Sequence, residues 1–259
     1  MSTESEQDEP VKLAVADGVA RITLDDATNR NSVTVRSSAA FLRACRRAAT
    51  DPSVRVIVLV GQGNYFSVGG DINEFLANGD DLPGHIAVLT DNIHSGIRHL
   101  VHAASPVVVG LNGIAAGGGV GMMLSGDVIV AKRSARINSG YTRSGLTPDA
   151  GLTWFLPRLV GHSRAFEIAA FNDFISADDA KLLGIVSRVV DDADFNEELE
   201  SVVARLLAAP GSVLGETKRL LRRSASSSLE SQLDAEALAI AKRVTMPETL
   251  ERLARFAKR

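Results

Sequence analysis

The N-terminal part of the chain alternates between strand-like and helix-like hydrophobic patterns. Residues 11–15 and 19–24 alternate apolar and polar side chains, and the Asp17-Gly18 pair between them is typical of a hairpin turn. Over residues 35–49, apolar side chains recur at helical spacing, with arginines on the opposite face. Residues 54–60 are almost continuously Val, Ile and Leu, which indicates a strand buried on both faces. These patterns predict an α/β body.

A second buried strand, at residues 107–109, leads into a segment rich in glycine. Residues 117–119 are three consecutive glycines, and an apolar helix is predicted directly after them. Residues 54–71 have the same order of strand, glycine turn and helix, so the two segments form a weak internal repeat. Backbone N–H groups at a helix start bind negative charge, either on a phosphate or on a transient oxyanion. Alternatively, the glycines only let the helix pack closely on the strand.

The rest of the chain is predominantly helical. The remaining predicted elements are a polar loop at 78–84, a helix at 87–103 and short strands at 127–131 and 185–190. Amphipathic helical segments complete the chain at 199–207, 211–221, 229–244 and 248–257.

These elements predict a domain organisation in three parts. Residues 1–10 are acidic and polar and are expected to be a disordered tail. Residues 11–195 form the α/β core, and residues 196–259 form a C-terminal helical region.

Composition narrows the classes of function. The chain has 259 residues, of which 45% are hydrophobic and 23% charged, as in an ordinary globular protein. A net charge of −3 and the lack of a basic stripe argue against a nucleic-acid partner. No apolar run is long enough to cross a membrane, and residues 1–10 do not resemble a signal peptide. We therefore expect a cytoplasmic protein with no nucleic-acid or membrane partner.

Common catalytic and metal-binding motifs are missing from the sequence. It contains no phosphate-binding loop, no GxSxG nucleophile elbow and no HExxH zinc pair. The single cysteine, Cys45, excludes an internal disulfide and lies on the apolar face of a predicted helix. His94, His99 and His102 share one predicted helix, but their spacing fits no standard ligand set. We expect them to be surface or packing residues, and we expect no metal site.

Two longer motifs carry a family resemblance. The segments GQGNYFSVGGDI at residues 61–72 and NGIAAGGG at residues 112–119 resemble the two signatures of the enoyl-CoA hydratase/isomerase (crotonase) superfamily. Shorter matches follow at residues 148–151, 175–177 and 216–218. The resemblance extends over residues 11–245 in the expected order and spacing, and it speaks for the family more than for any one reaction.

The resemblance implies a fold, an assembly and a substrate. The fold would be the ClpP-like crotonase fold, in which stacked ββα units form the body and a C-terminal helical region assembles trimers or dimers of trimers. The substrate would be an acyl-CoA thioester, with CoA as part of the substrate and no separate cofactor. Two backbone N–H groups, matching Gly70 and Gly118, would bind the thioester carbonyl oxygen. Such fixed donors stabilise the oxygen as it gains negative charge.

The resemblance also implies positions that contact the substrate. These are Asn31, Val33, Val68, Gly69, Asp71, Ile72, Gly117 and Tyr141. Asp71 also fits a helix N-cap, and Tyr141 also fits a packing position. Residues 75–84, with the helix after them, would shape the acyl pocket, and Phe256 and Lys258 would touch CoA.

The sequence departs from the hydratases of this family at the positions of both catalytic glutamates. The first glutamate corresponds to Gly121 and the second to about Tyr141. Neither residue can transfer a proton as a carboxylate would. The resemblance therefore argues against a hydration that uses two glutamates.

One carboxylate remains at a matching position, Asp149, which corresponds to an aspartate of isomerase and dehalogenase branches of the superfamily. A single base can move a proton between the α and γ carbons of an enoyl thioester, so Asp149 would suffice for isomerisation. Asp149 also fits a helix N-cap. Two other functions stay open: a hydratase in which Asp149 alone activates water, and a catalytically silent acyl-CoA-binding protein.

Overall fold

The computed structural model describes residues 9–257, except for the side chain of Phe256. The predictions for residues 1–8, for the Phe256 side chain and for Lys258 therefore lie outside the described residues. At the start of the described part, the Glu9 carboxylate pairs with Arg43 at 2.9 Å. The carbonyl oxygen of Pro10 accepts a hydrogen bond of 2.8 Å from the amide of Asp25.

Strands and helices alternate through most of the chain. The strands are β1 (Val11–Ala16), β2 (Val19–Leu24), β3 (Val56–Gly61), β4 (Tyr65–Ser67), β5 (Val107–Leu111), β6 (Ile114–Ala116), β7 (Val128–Lys132), β8 (Arg136–Asn138), β9 (Ile175–Ser176) and β10 (Arg188–Val190). The α-helices are α1 (Val35–Thr50), α2 (Ile72–Ala77), α3 (Leu82–His102), α4 (Gly118–Leu124), α5 (Leu152–Val160), α6 (His162–Phe171), α7 (Ala177–Leu182), α8 (Phe195–Ala208), α9 (Gly211–Ser224), α10 (Leu229–Arg243) and α11 (Pro247–Phe256).

The larger sheet has six strands in the order β1-β2-β3-β5-β7-β10, and only β1 runs antiparallel to its neighbour. Its central strands are buried on both faces, as their continuous apolar sequence predicts. Ile57 and Leu59 of β3 belong to the main core with α1 and α3. Val56 and Val58 face the other way and pack against Phe195 and other apolar residues of α8.

This packing places α8 in the body of the protein. Phe195, Leu199, Val202 and Val203 are buried against the sheet. The boundary predicted at residue 195 falls at the start of α8. The amphipathic pattern of α8 predicts an apolar face but does not indicate that this face meets the larger sheet.

A smaller sheet of four short strands has the order β4-β6-β8-β9. β4 and β6 run parallel, as do β6 and β8, whereas β9 is antiparallel to β8. The pairs β3–β4, β5–β6 and β7–β8 each give one strand to each sheet. The first two pairs coincide with the predicted repeat, and the third is a unit that the sequence did not indicate. The result is the predicted α/β fold of stacked ββα units.

The Asn112-Gly113 pair connects the two sheets. The Asn112 side chain accepts a 3.0 Å hydrogen bond from the amide of Gly61 and donates one of 2.9 Å to the carbonyl of Gly63. At Gly113, a Cβ atom would lie 2.0 Å from the carbonyl oxygen of Asn64. A side chain at residue 113 is therefore excluded, and the pair fixes where β6 begins.

Helix α3 is longer than the sequence predicts. A short 3-10 turn, Gly79–Asp81, leads directly into α3 at Leu82, where a polar loop was expected up to residue 84. Pro83 lies in the first turn of α3, where its missing N–H has no cost and its fixed φ favours the helix. Among the described residues, no helix is long and apolar enough to cross a membrane.

A buried lysine connects α9 to the body. The ammonium of Lys218 donates to the carbonyl of Leu100 at 2.8 Å and lies 2.7 Å from the Asp127 carboxylate. Asp127 in turn accepts a 2.8 Å hydrogen bond from the amide of Val107, at the start of β5. Burial lowers the pKa of Lys218, against the opposing effect of Asp127.

Replacing Lys218 with methionine should destabilise the protein, because it removes the ammonium that pairs with Asp127 and donates to the carbonyls of Leu100 and Ser105. We expect the free energy of unfolding to fall by about 3 kcal/mol, at the lower end for a broken buried ion pair, since Arg222 remains beside Asp127. Urea unfolding measures the change. The neighbouring Arg219→Met removes only an exposed pair with Glu216 and should leave the midpoint unchanged. Equal midpoints for the two variants would contradict this role of Lys218.

Candidate active site

Three strand ends meet at one edge of the smaller sheet. Gly70 follows β4, Gly118 follows β6 and Tyr141 follows β8. Because these strands are parallel neighbours, their carboxyl ends lie side by side, which is where α/β proteins commonly bind ligands. The turns after β4 and β6 pack closely, since a Cβ atom at Gly69 would lie 2.9 Å from the amide nitrogen of Gly118.

Two backbone N–H groups are available at this edge. The carbonyl of Gly69 accepts from the Val33 amide at 2.7 Å, and the Val33 carbonyl accepts from the Asp71 amide at 3.1 Å. These bonds fix the chain on both sides of Gly70 and leave its own N–H without an acceptor within the described part of the chain. The N–H of Gly118 is also without an acceptor there, because Gly118 is the first residue of α4.

The two amides line a cavity of about 450 Å³. Eight residues expected at the site from the sequence line it: Val33, Val68, Gly70, Ile72, Gly117, Gly118, Tyr141 and Asp149. Helices α2 and α3 add an apolar wall, formed by Phe75, Ile86, Leu89 and Ile93. The loop at residues 75–84 and the helix after it were expected to shape the acyl pocket; Phe75 and several residues of α3 do line the cavity.

Three of the expected substrate-binding residues do not line the cavity. The Asn31 amide donates to the carbonyls of Gln62 and Tyr65, at 3.0 and 2.8 Å, and is buried. Gly69 packs against the backbone at Ala116 and Gly118. These contacts make Asn31 and Gly69 supports of the glycine turn, and their contact with the substrate stays a prediction.

Asp71, the third of these residues, is the N-cap of α2. Its Oδ1 accepts from the amides of Asn73 and Glu74, and its Oδ2 accepts from the side chains of Asn29 and Ser32. The hydrogen bond from Asn29 is the main cause of the lowered pKa of Asp71. Its carboxylate therefore has the capping role that the sequence offered as an alternative.

Asp149 is the one carboxylate among the cavity-lining residues. It is not a helix cap, because the N-cap of α5 is Gly151 and no side chain caps that helix. Oδ1 of Asp149 accepts a short hydrogen bond from the Tyr141 hydroxyl. Oδ2 makes no hydrogen bond to the described residues, which leaves it available for a proton from a bound molecule.

Tyr141 is a hydrogen-bond donor at this site. It is buried, and burial together with the charge of Asp149 raises the pKa of its phenol far above the usual value. The hydroxyl therefore stays protonated and keeps donating to Asp149. Its predicted packing role and its predicted place in the pocket are both observed.

His94 is a site residue that the sequence did not indicate. Its Nε2 lies 3.8 Å from Oδ2 of Asp149 and accepts a 3.1 Å hydrogen bond from the amide of Ala150. The spacing of His94, His99 and His102 gave no signal, because the partners of His94 come from a loop far along the chain. His94 is thus a partly exposed packing residue, as expected, and its contact with the turn at Asp149 is what the sequence did not show.

Comparison with known proteins shows which family the chain belongs to. The model of the enoyl-CoA hydratase/isomerase family matches residues 14–258. The chain belongs to this family. Members of the enoyl-CoA hydratase/isomerase family process acyl-CoA compounds, which agrees with the resemblance found in the sequence.

Relatives in this family have different activities. The chain is 32% identical to 4-chlorobenzoyl coenzyme A dehalogenase-2 of Arthrobacter sp, over 97% of this chain and 92% of that protein. It is 30% identical to 1,2-epoxyphenylacetyl-CoA isomerase of Escherichia coli strain K12, over 86% of this chain and 85% of that protein. A structure described as an enoyl-CoA hydratase of Thermobifida fusca YX in complex with acetoacetyl-CoA has a TM-score of 0.84 at 30% identity. It covers 93% of this chain and 97% of that one. Similarity alone therefore leaves the reaction open.

Gly121, which the sequence resemblance matches to the first hydratase glutamate, has no room for a side chain. A Cβ atom at Gly121 would lie 2.2 Å from the carbonyl oxygen of Ala150 and 2.5 Å from its Cβ. The turn that carries Asp149 thus packs directly on α4. Ala150 itself has a φ of +50°, a left-handed conformation that costs a non-glycine residue about 1–2 kcal/mol. In this protein, the turn that carries Asp149 occupies the space beside Gly121.

Proposed function

We propose that this protein is an enoyl-CoA isomerase that moves a double bond between the β,γ and α,β positions of an acyl-CoA thioester. One observation carries the proposal: a single carboxylate, Asp149, lines an apolar cavity that also presents two free backbone N–H groups. Isomerisation needs one base and one site for the developing oxyanion, and no second acid.

In the proposed mechanism, the thioester carbonyl oxygen accepts hydrogen bonds from the amides of Gly70 and Gly118. Oδ2 of Asp149 removes a proton from the α carbon, and the electron pair moves onto the carbonyl oxygen to form a dienolate. The two amides stabilise this charge, an effect worth about 3–4 kcal/mol per donor in other enzymes. The protonated Asp149 then returns the proton to the γ carbon, which restores the carbonyl and leaves the conjugated enoyl thioester.

The surroundings of Asp149 support this role. Tyr141 fixes Oδ1 through its hydroxyl, so the free Oδ2 has a defined direction. Apolar side chains such as Phe75, Leu89 and Ile93 enclose the space where the acyl chain would lie. An apolar enclosure strengthens the hydrogen bonds to the oxyanion and disfavours the entry of water.

Hydration is the alternative activity, and it would require Asp149 alone to activate water. A catalytically silent acyl-CoA-binding protein is the alternative of another class. It would bind the thioester through the amides of Gly70 and Gly118 but would have no working base. Because the chain is 32% identical to a 4-chlorobenzoyl coenzyme A dehalogenase, 4-chlorobenzoyl-CoA is a third substrate to be tested.

Assays with 3-enoyl-CoA and 2-enoyl-CoA distinguish these functions. We expect the purified protein to convert 3-enoyl-CoA into the conjugated 2-enoyl-CoA with no change of mass, followed by ultraviolet absorbance and mass spectrometry. Incubation with 2-enoyl-CoA should give no product heavier by one water. A hydroxyacyl product from 2-enoyl-CoA, chloride release from 4-chlorobenzoyl-CoA in place of isomerisation, or binding without any conversion would each overturn the proposal.

We also infer that copies of the chain associate through the C-terminal helices. Large apolar side chains of α9 to α11 are exposed, including those of Leu221, Leu229, Leu238 and Leu250. Exposed apolar side chains in such number are commonly covered by another subunit. The trimer or dimer of trimers implied by the sequence stays a prediction.

A further inference from the structure

His94 links α3 to the turn that carries Asp149. Its side chain is 38% exposed, and its Nε2 accepts the Ala150 N–H at 3.1 Å. The same nitrogen lies 3.8 Å from Oδ2 of Asp149, which is too far for a hydrogen bond. On its other side, His94 lines a second cavity of about 500 Å³ together with Trp154 and Arg222.

We propose that His94 is a positioning residue, which directs the Asp149 carboxylate by holding the backbone of Ala150. This inference rests on the proposed function, in which Asp149 is the proton carrier. His94 would act through the Ala150 amide and would not exchange a proton with the substrate.

The backbone conformation of the turn explains why such a support is needed. Ala150 and Gly151 are consecutive residues with positive φ, of +50° and +79°. A non-glycine residue keeps this conformation only where its surroundings determine it. Packing of Ala150 on Gly121 fixes one side of the turn, and the hydrogen bond to His94 fixes the amide on the other.

The hydrogen bond also shows what the Nε2 atom of His94 can do. A ring nitrogen that accepts an N–H uses its lone pair for that bond and carries no proton of its own. His94 therefore cannot donate to Oδ2 of Asp149 through Nε2, and that oxygen stays free for the substrate. This geometry separates a positioning role from a base role.

Two substitutions that differ by one methylene group test the proposal. In His94→Gln, the amide oxygen reaches about as far as Nε2 does and can accept the Ala150 N–H, whereas in His94→Asn it is too short. We expect kcat for 3-enoyl-CoA to fall about tenfold to a hundredfold in the Asn variant, the effect of a misplaced catalytic group, and to stay near wild type in the Gln variant. KM should change little in either, because the amides of Gly70 and Gly118 bind the thioester. His99→Asn, on the same helix, is the control and should keep full turnover.

Each outcome decides the question. Equal losses in the Gln and Asn variants would overturn the positioning role, because glutamine cannot replace a histidine base. Wild-type kcat in the Asn variant would overturn it as well. A loss in both kcat and thermal midpoint, with no difference between Gln and Asn, would indicate a purely structural residue and also overturn it. If Asp149→Asn keeps full turnover, the proposed function fails, whereas an inactive Asp149→Asn beside a fully active His94→Asn refutes only the role of His94.

Discussion

Asp149→Asn is expected to lower kcat for the isomerisation of 3-enoyl-CoA by about a hundredfold to ten-thousandfold, the usual contribution of a positioned acid–base group. Asparagine has nearly the same shape and can still accept the hydrogen bond from Tyr141, but it cannot take up the α proton. KM should stay within a factor of a few, since the amides of Gly70 and Gly118 are unchanged. Steady-state kinetics by absorbance of the conjugated product measures both values.

Tyr141→Phe is the matched comparison for Asp149→Asn. It removes the donor to Oδ1 and leaves the carboxylate in place, so kcat should fall by about tenfold to a hundredfold, as for one hydrogen bond to a charged group. The expected order of kcat is therefore wild type, Tyr141→Phe and then Asp149→Asn. Undiminished turnover of Asp149→Asn would contradict the assignment of the base. A larger loss in Tyr141→Phe would point to the phenol as the proton carrier.

The two glycine turns that present free amides to the cavity could be predicted from the sequence because their signal is local. Gly70 and Gly118 each lie in a glycine turn directly after a strand and before a helix, and the two turns share one order of elements. The strands of the smaller sheet gave no signal of their own, since three residues are too few to show a period. Their parallel pairing nevertheless explains why two turns far apart in the chain meet.

The surroundings of Asp149 could not be predicted in the same way, because they are tertiary. An aspartate before an apolar helix is commonly an N-cap, yet here Gly151 is at the cap and Tyr141 holds the carboxylate. His94 comes from a helix on another side of the cavity, and no sequence pattern links it to Ala150. Asn31 shows the converse, since its side chain lies next to the site but is hydrogen-bonded to the backbone of the neighbouring loop.

Gly121→Glu tests whether the missing hydratase glutamate can simply be restored. We expect the substitution to destabilise the protein and to give no hydratase activity. A Cβ atom at Gly121 would meet the carbonyl oxygen of Ala150 at 2.2 Å, and backbone atoms cannot move aside as a flexible side chain can. Overpacking of this kind costs about 1–3 kcal/mol or more, and the buried carboxylate adds a desolvation cost. Thermal unfolding and the 2-enoyl-CoA assay measure the two effects.

Alanine at two glycines of α4 separates the steric effect from the charge. Gly121→Ala brings the same clash without a carboxylate and should lower the unfolding midpoint clearly. At Gly118, an added Cβ would meet nothing closer than the Tyr141 hydroxyl at 3.7 Å, so Gly118→Ala should keep the midpoint. Because Ala150 adjoins Asp149, any shift forced by residue 121 also moves the base, and isomerase turnover should fall together with stability in Gly121→Ala. A stable Gly121→Glu variant that hydrates 2-enoyl-CoA would show that the aspartate turn can give way, and that the space beside α4 does not by itself decide between the two reactions.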